Sequence, residues 1–341
     1  MKKVAVVILN WNGRKLLEQF LQNVISNSPQ AEVIVADNAS SDDSVEFLKK
    51  NFPALRIIPL PVNFGFAQGY NEALKQVDAE YFMLLNSDVE VTEGWLIPLV
   101  DFLNQHPETA ACQPKIRSFR DRHLFEHAGA AGGFLDYLGY PFCRGRLFNT
   151  LEADNKQYDS VTNVFWATGA CMLVRSEVFR KLNGFDERFF AHMEEIDLCW
   201  RIHRAGYNIQ CIPSSTVYHV GGGTLPKKNP QKTYYNFRNN LMMLHNNLPP
   251  SVVFPVIFYR LFLDGIAALK FLMEGDVMDF LAVMRSHVYF HTRVLISGGR
   301  RNELRRALPY IHPATIYSKS IVWRYFFLKK KTFRELNFNT T

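Results

Sequence analysis

Three apolar runs early in the chain each end on asparagine or aspartate, and this repeated pattern limits the possible folds more than any other feature. The runs with their polar ends are Val4–Leu9 with Asn10, Val33–Ala36 with Asp37, and Tyr81–Leu85 with Asn86, Ser87 and Asp88. Continuous β-branched and apolar runs are typical of strands buried on both faces of a parallel sheet. The segments between the first strands carry apolar stripes at helical spacing, so the sequence predicts an α/β fold that opens βαβα.

The polar ends of these strands are expected to lie together. The carboxyl ends of parallel strands share one edge, which is where doubly wound folds bind nucleotides. No GxGxxG motif follows the first strand, which disfavours a dinucleotide-binding Rossmann site. A third strand over Arg56–Leu60 leads into Gly65 and Gly69, which would permit close backbone approach to a ligand. A helix over Asn71–Gln76 would present its N-terminus nearby.

The stretch Tyr81–Thr92 has two interpretations. A buried strand that delivers Asp88 to its edge, with Glu90 two residues later, is a common way to present a divalent cation to a phosphate ligand. Asn-Ser-Asp is also ordinary turn chemistry, so a strand that simply runs into a polar turn explains the same residues. This stretch alone leaves both open.

The middle of the chain carries weaker signals. A helix is predicted over Glu93–Leu103 and a strand over Ala110–Ile116. Residues 117–160 are expected to be irregular and polar, either as a substrate loop or as a solvated loop with incidental charges. Strand character returns over residues 161–175, around Trp166–Gly169.

Three carboxylates, Glu194, Glu195 and Asp197, stand where a helix is predicted to begin behind Phe189 and Phe190. Interaction with the helix dipole stabilises acids in the first turn, so capping accounts for one of them. A carboxylate in a semi-buried cleft has a raised pKa and can accept a proton as a general base. The cluster is therefore a candidate source of such a base.

His219 follows a predicted strand and precedes Gly221, Gly222 and Gly223. A histidine in this position is often a hydrogen-bonded core residue. The glycines allow close ligand approach, and imidazole is a plausible metal ligand beside a carboxylate, so both interpretations stay open.

Charge is unevenly distributed along the 341 residues, whose formal net charge is +7. Residues 1–240 hold 25 Lys and Arg against 26 Asp and Glu, whereas residues 241–341 hold 14 against 6. A basic tail suits either nucleic acid or an anionic membrane surface. The electroneutral body offers no basic groove and no RNA or DNA motif, so no nucleic-acid partner is expected.

The cysteines and the N-terminus both indicate a cytosolic compartment. The five cysteines are odd in number and lack CxxC or zinc-site spacing, so they are expected to be reduced thiols. The apolar run after Met1 is too short for a signal peptide and has no cleavage site, so export is not expected.

The tail from residue 251 is rich in large apolar residues. Charged residues are expected to interrupt it before a membrane span accumulates. The segment Val252–Met273, followed by Arg300–Arg301, Arg305–Arg306 and Lys329–Lys331 interleaved with aromatic residues, is typical of helices that lie in a membrane interface. A helical cap packed on the body, with a solvated basic end, is the alternative.

Taken in order, five pieces of the sequence resemble an inverting glycosyltransferase of family 2, and the resemblance extends from Val4 to Asn247. They are VVILNWNG, VADNASSDDS, VNFGFAQGYNEAL, LLNSDVEV, and GFDERFFAHMEEIDLCWRIHRAGY with YHVGGGT after it. The resemblance implies a GT-A nucleotide-sugar-binding fold, a Rossmann-like and mostly parallel sheet flanked by helices, with a helical C-terminal extension. Within the family, the sequence is most similar to rhamnosyltransferase-like enzymes of bacterial surface polysaccharide synthesis.

The resemblance also implies roles for individual residues. Asp37 would bind the pyrimidine ring of the donor, and its ribose and diphosphate would be held by Asn10, Asn63, Gly65 and Asn71. Asn86-Ser87-Asp88 stands at the position of the Asp-x-Asp motif. Asp88 and His219 would be ligands of Mg²⁺ or Mn²⁺, with Asn86 as a ribose or supporting contact. Glu195 stands where the family has its base, with Asp197 as the alternative, and the acceptor candidates are Trp166, Thr168 and Glu194.

The predicted organisation is a nucleotide-sugar half over residues 1–105, an acceptor and catalytic half over 106–247, and a basic helical extension over 248–341. The predicted reaction is metal-dependent, inverting transfer of a sugar from a UDP- or dTDP-sugar to a glycan, which the resemblance suggests is lipid-linked. The protein would lie in the cytoplasm against the anionic inner face of the plasma membrane, and the oligomeric state stays open. A phosphohydrolase using Asp88 and a non-catalytic membrane scaffold are the alternatives.

Overall fold

The structure is a computed structural model that describes residues 3–127, 129–221, 229–295 and 299–338. Its strands, β1 to β14 in chain order, are Val4–Asn10, Ala31–Asp37, Arg56–Pro59, Tyr81–Leu85, Val89–Val91, Thr109–Ser118, Gly133–Asp136, Pro141–Cys143, Arg146–Leu147, Thr150–Leu151, Thr162–Asn163, Cys171–Arg175, Asn208–His219 and Ile316–Tyr317. Its α-helices, α1 to α11, are Arg14–Ser26, Ser44–Asn51, Gly65–Leu74, Ile97–Gln105, Ser176–Lys181, Glu194–Arg204, Pro230–Asn247, Pro250–Met273, Val277–Tyr289, Gly299–Ala307 and Ile321–Phe326.

The main sheet has the strand order β11-β13-β6-β12-β4-β1-β2-β3, and β5 pairs with β13 at one side. Strands β4, β1, β2 and β3 are parallel to one another, and β13 is parallel to β6. Strand β12 is antiparallel to both of its neighbours. The prediction of an α/β fold with a mostly parallel sheet is confirmed, because the buried apolar runs form its centre.

The polar ends of the central strands meet at one edge, as the sequence predicts. Asn10 is paired directly with Asp37 across β1 and β2. On the other side of β1, Ile8 is paired with Leu85, so the residues that follow β4 lie beside the end of β1. Asn86, Ser87 and Asp88 therefore share an edge with Asn10 and Asp37.

Helix α3 begins at Gly65, which corrects the predicted glycine loop followed by a helix over Asn71–Gln76. The first turn of α3 is fixed from outside, because the backbone N–H groups of Phe66 and Ala67 donate to Phe190 O at 2.6 and 3.1 Å. A Cβ at Gly69 would lie 3.0 Å from the Leu9 side chain. Gly69 thus allows the helix to pack close to the sheet. The sequence pattern alone could not distinguish this role from close approach to a ligand.

The prediction that residues 117–160 are an irregular loop is wrong. They contain most of a second sheet with the order β10-β9-β8-β7-β14. Strands β7 to β10 pair antiparallel, and β14 comes back from the C-terminal extension to pair parallel with β7. The short strands are stabilised by burial of Phe134, Leu135, Phe142 and Leu147. Because each strand has only two to four residues, sequence periodicity is too brief to reveal it.

Two further predictions of secondary structure need correction. The predicted strand over 161–175 is two strands, β11 and β12, separated by the buried segment 164–170. Helix α4 begins at Ile97 instead of Glu93, because Gly94 has a φ of 68° and forms a turn. Strand β13, in contrast, runs unbroken to His219.

The predicted helical C-terminal extension is confirmed, and α7, α8 and α9 pack against one another. Among the helices of the described ranges, α8 alone is long and apolar enough to cross a membrane by length and composition. The expected interruption by charge is weak, since Arg260 and Asp264 are its only charged residues before Lys270. The five cysteines are free and buried.

Candidate active site

One end of the site is a hydrogen-bonded cluster at the ends of β1 and β2. Asn10 Nδ2 donates to Asp37 Oδ1 at 3.0 Å, and the Ser40 hydroxyl donates to the same oxygen at 2.6 Å. The Ser40 N–H donates to Asp37 Oδ2 at 3.0 Å. Asn10 Oδ1 is buried and has no hydrogen-bond partner among the described residues. These bonds fix the Asp37 carboxylate at the carboxyl edge, and Asn10 keeps an acceptor free.

Asn38, for which no role was predicted from the sequence, holds the start of α3. Its Nδ2 donates to Asn63 Oδ1 at 3.0 Å and to Gly65 O at 2.9 Å. Asn63 Oδ1 also accepts from the Gly65 N–H at 2.9 Å. The side chain of Asn63 thus shapes the backbone beside the edge. The signal for Asn38 was its place directly after Asp37 at the end of β2.

Asn71 joins α3 to the segment that precedes the acid cluster. Its Nδ2 donates to Phe185 O and its Oδ1 accepts from the Phe185 N–H, both at 2.9 Å. Both polar atoms are therefore occupied by backbone. Asn71 positions one wall of the site through Phe185 and its neighbours.

Asp88, His219 and Glu126 form a buried row at the end of β4. His219 Nε2 lies 3.0 Å from Asp88 Oδ1, and His219 Nδ1 lies 3.4 Å from Glu126 Oε2. Burial by itself lowers the pKa of His219, but the two carboxylates outweigh it and raise the pKa to about 10. Glu126 was missed in the sequence because it lies in the stretch taken for an irregular loop.

The geometry of this row suits a divalent ion held by Asp88 and His219. Asp88 Oδ1 and His219 Nε2 are 3.0 Å apart, a hydrogen-bond distance that is also the separation of two ligands about 2.1 Å from one ion at right angles, once the proton between them is displaced. Within the described ranges no group of three or more His, Cys, Asp or Glu side chains has the arrangement of a complete metal site. Two protein ligands leave positions for the phosphates of a ligand, as is usual for Mg²⁺ sites. Glu126 faces the other ring nitrogen and can orient the imidazole.

A tight segment, Thr168–Ala170, separates this row from the acid cluster. The Asn86 N–H donates to Ala170 O at 3.0 Å. On the other side, a Cβ at Gly169 would lie 3.1 Å from Phe66 Cζ and 3.8 Å from Glu195 Cβ. The backbone at Gly169 therefore brings Glu195 close to the strand end that carries Asp88.

Trp166 and Thr168, the acceptor candidates near this segment, are both buried. Trp166 Nε1 donates to Phe134 O at 3.0 Å, and its ring covers Gly133. The Thr168 hydroxyl accepts from the Ala170 N–H at 3.2 Å. Their contacts shape the segment around Gly169.

Glu194 and Glu195 lie at the start of α6, and one carboxylate oxygen of each, the buried Oε2, has no hydrogen-bond partner within the described residues. Burial raises the pKa of Glu195 to about 7, and burial together with the neighbouring Glu195 raises the pKa of Glu194 well above its usual range. A carboxylate with a pKa near 7 is well matched to proton transfer at neutral pH.

Asp197, in contrast, is fully engaged. It accepts from Arg201 Nε at 2.8 Å and from Asn247 Nδ2 at 2.7 Å, and it is 1% exposed. A buried carboxylate with such partners stabilises the packing of α6 on α7. The geometry favours Glu195 over Asp197 as a proton acceptor.

The backbone before Glu194 adopts an unusual conformation. Phe190, His192 and Met193 have φ values of 63°, 71° and 72°, in the left-handed region that residues other than glycine seldom occupy. Asn239 Nδ2, from α7, donates to Phe189 O, Ala191 O and His192 O at 2.7 to 3.0 Å. Helix α7 thus holds the strained turn that orients the acid cluster. The glycine segment Gly222–Thr224 after His219, singled out in the sequence, lies outside the described residues.

Comparison with protein families gives a match over half of the chain. The profile of the family described as Glycosyl transferase family 2 matches residues 5–182. An N-acetylglucosaminyl-diphospho-decaprenol L-rhamnosyltransferase of Mycobacterium tuberculosis is 29% identical over 233 residues, which cover 63% of this chain and 75% of the relative. Rhamnosyltransferase WbbL of Escherichia coli is 25% identical over 227 residues, covering 63% and 83% respectively.

Solved structures share the fold at low sequence identity. The crystal structure of GalNAc-T7 with UDP, GalNAc and Mn²⁺ matches with a TM-score of 0.58 and 15% identity, over 86% of this chain and 57% of that chain. The mannosyltransferase PcManGT from Pyrobaculum calidifontis, in complex with GDP-Man and Mn²⁺, matches with a TM-score of 0.50 and 16% identity, over 89% and 85%. The predicted GT-A fold is confirmed.

Proposed function

The chain belongs to glycosyl transferase family 2, and we propose that it transfers a sugar from a nucleotide-sugar donor to a hydroxyl group of a glycan acceptor. The observation that carries this proposal is the position of Glu195. Its carboxylate, which keeps one oxygen unpaired among the described residues and has a pKa raised to about 7 by burial, lies across Gly169 from the strand end that carries Asp88. A base on one side and a diphosphate-binding edge on the other are the two components that the reaction needs.

We assign donor binding to the edge formed by residues 1–105 and acceptor binding to residues 106–247. The fixed carboxylate of Asp37 would accept a hydrogen bond from the pyrimidine ring of a UDP- or dTDP-sugar, and the free Oδ1 of Asn10 would accept from its ribose. The backbone held by Asn63 and Asn71 would line the ribose and diphosphate. Relatives named for rhamnose transfer, one of them to an N-acetylglucosaminyl-diphospho-decaprenol, support a lipid-linked glycan as acceptor. The cytoplasmic face of a membrane as the place of the reaction is part of the proposal.

The proposed chemistry is a single displacement. Glu195 takes the proton of the acceptor hydroxyl while the hydroxyl oxygen bonds to C1 of the sugar. The bond from C1 to the nucleoside diphosphate breaks on the opposite face. The configuration at C1 is therefore inverted. Asp88 and His219 would hold Mg²⁺ or Mn²⁺, which when bound neutralises the charge that develops on the leaving diphosphate.

The test is a comparison of nucleotide-sugar turnover with and without Mn²⁺. We expect the wild-type protein to release UDP or dTDP from a matching sugar donor, and Glu195→Gln to lose roughly 10²- to 10⁴-fold in rate while still binding the donor. Glu108→Gln, a change of the same type at an exposed carboxylate, should leave the rate unchanged. Absence of donor binding and of turnover across a panel of UDP- and dTDP-sugars would refute the proposal.

Two other measurements separate the alternatives, namely phosphate release from a phosphomonoester and the function of variants in cells. A phosphohydrolase would release inorganic phosphate from a phosphomonoester and would need Asp88 as its nucleophile. The Asp88 carboxylate is buried and hydrogen-bonded to His219, an environment that suits metal binding better than attack on phosphorus. A non-catalytic scaffold predicts that Glu195→Gln and Asp88→Ala retain full function in cells.

A further inference from the structure

The surface of the C-terminal extension that faces away from the body is apolar over several helical turns. On α8 the exposed positions recur every three or four residues, and they are Phe254, Phe258, Phe262, Ile266, Leu269 and Met273. Phe258 is 76% exposed and Met273 is 81% exposed. Contiguous exposed apolar surface of this kind marks an interaction site in most proteins.

Helix α8 is polar toward the protein and apolar toward the outside, the reverse of a helix that faces water. Its charged residues between Pro250 and Leu269, Arg260 and Asp264, are 3% and 1% exposed. Arg260 Nη1 donates to Leu138 O at 2.9 Å and to Asn240 Oδ1 at 2.5 Å, and its Nη2 donates to Asp264. These bonds anchor α8 sideways on the body, so its outer face is presented along its whole length.

Helix α9 continues the same pattern. Its exposed residues include Met278, Leu281, Met284 and Val288. Its charged residues are engaged with α7, since Asp279 accepts from the Thr233 hydroxyl and the Arg285 guanidinium lies 4.8 Å from the Tyr234 ring centroid. The outward faces of both helices are therefore mostly apolar, with Lys270 of α8 and Arg285 of α9 as exposed charges among them.

Aromatic and basic residues border this surface. A groove beside α8 is lined by Tyr259, Leu263, Trp323 and Phe327, with Lys319 and Arg324 among them. Lys329 and Lys330 follow directly. Trp beside Lys and Arg is the composition found where proteins meet lipid headgroups, because the rings and basic side chains reach both the apolar and the polar layer.

We propose that the outer faces of α8 and α9 insert into the headgroup boundary of a bilayer that contains anionic lipids, with α8 lying in the plane of the membrane. The excess of 14 basic over 6 acidic residues in 241–341 complements such a surface. A symmetric dimer through this face would bring two copies of the same basic region together, which charge repulsion disfavours. The proposal draws on the proposed function only in that a lipid-linked acceptor would lie at the same surface.

Vesicle flotation tests the proposal with the full-length protein. Wild-type protein should float with vesicles of phosphatidylcholine and phosphatidylglycerol. The variant Phe258→Asp with Phe262→Asp should reduce the bound fraction by more than about tenfold. The matched control, Ile97→Asp with Val161→Asp, adds the same charges at exposed apolar positions of the body and should float like the wild type. Lys329→Gln with Lys330→Gln should weaken binding less, and mainly at low salt.

Two further measurements keep the result decisive. Quenching of tryptophan fluorescence by brominated phosphatidylcholine should be smaller in Trp323→Phe than in the wild type, which tests contact without altering α8. Nucleotide-sugar turnover in solution should be unchanged in the Phe258 and Phe262 variant. Wild-type protein that turns over donor but does not float would overturn the membrane proposal and leave the proposed function standing. The membrane proposal would also be overturned if sedimentation showed that the wild type is a dimer and that Phe258→Asp with Phe262→Asp only converts it to a monomer.

Discussion

The Glu195 carboxyl has properties that can be tested by pH. Burial raises its pKa to about 7 from an ordinary value of 4.5. Since the base must be deprotonated, we expect the rate of sugar transfer to rise with pH and to level off above about 7. The measurement is the pH dependence of kcat/KM between pH 5 and pH 9, roughly the span over which such a group changes charge. A rate that is flat across pH 7 would contradict the assignment.

The same raised pKa affects stability. The folded state binds the Glu195 proton more tightly than the unfolded chain does, so this contribution is fully present below about pH 4.5 and is lost as pH rises through about 7. Glu195→Gln removes the ionisation and should therefore stabilise the protein above pH 7, by at most about 3 kcal/mol. Thermal unfolding of both proteins at pH 5 and at about pH 8 should show the difference growing with pH. A difference that shrinks with pH would show that the carboxylate is not desolvated.

Glu126 is expected to support metal binding through His219. Its Oε2 lies 3.4 Å from His219 Nδ1, on the side of the ring away from Asp88. Carboxylates in that position fix the ring and raise its basicity, so Glu126→Gln should weaken Mn²⁺ binding about 10- to 100-fold. Titration followed by the EPR signal of free Mn²⁺ measures this without any turnover. Unchanged affinity, with Glu108→Gln as the matched control, would exclude the role.

At the scale of elements, helix α7 controls the turn before the acid cluster. Asn239→Ala removes the NH₂ group whose two hydrogens are shared among the carbonyls of Phe189, Ala191 and His192. We expect kcat to fall by at least about tenfold, with a smaller change in donor KM, because the strained turn loses the contacts that hold it. The free energy of unfolding should fall by about 2 to 4 kcal/mol.

Asn246→Ala is the control on the same helix. Asn246 is 1% exposed, and its Nδ2 has no hydrogen-bond partner within the described part of the chain. Its removal should leave kcat near the wild-type value. Equal losses of kcat in both variants would show that α7 acts only through general stability.

At the scale of the whole molecule, the C-terminal extension contributes residues to the hydrophobic core as well as to the exposed apolar face of α8 and α9. Phe333 packs on Phe134 with ring centroids 5.2 Å apart, and the Ile321 N–H donates to Asp136 Oδ2 at 2.9 Å. Phe333→Ala should lower the free energy of unfolding by about 3 to 5 kcal/mol. Phe327→Ala, at a 63% exposed position, should change it by less than about 0.5 kcal/mol. Chemical denaturation of the two variants measures the contrast.

Packing of the tail on the body is one of the two interpretations that the sequence left open. Arg204 of α6 donates to the carbonyls of Leu304, Leu308 and Pro309, and Arg301 is 9% exposed. The extension is therefore packed on the body. Removal of residues 300–341 would disrupt that core, so a loss of vesicle binding after truncation would say little about the membrane. Substitutions on the outer face of α8 are the sharper test.

The sequence by itself determined the central sheet and its polar edge. Apolar runs that end on Asn10, Asp37 and Asn86 are typical of buried parallel strands, and parallel strands bring their carboxyl ends together. The order of the motifs also indicated the family, and with it Glu195 and His219 as candidates.

Only the tertiary structure decided which polar residues are free. Asp197 and Asn71 are occupied by Arg201, Asn247 and the Phe185 backbone, whereas Glu195 keeps an unpaired oxygen. Glu126 reaches the site from 93 residues before His219, and Asn239 from 20 residues after it. Such contacts join residues distant in the chain, and hydrogen-bond partners are set by how elements pack, so a local pattern of residue types cannot specify them.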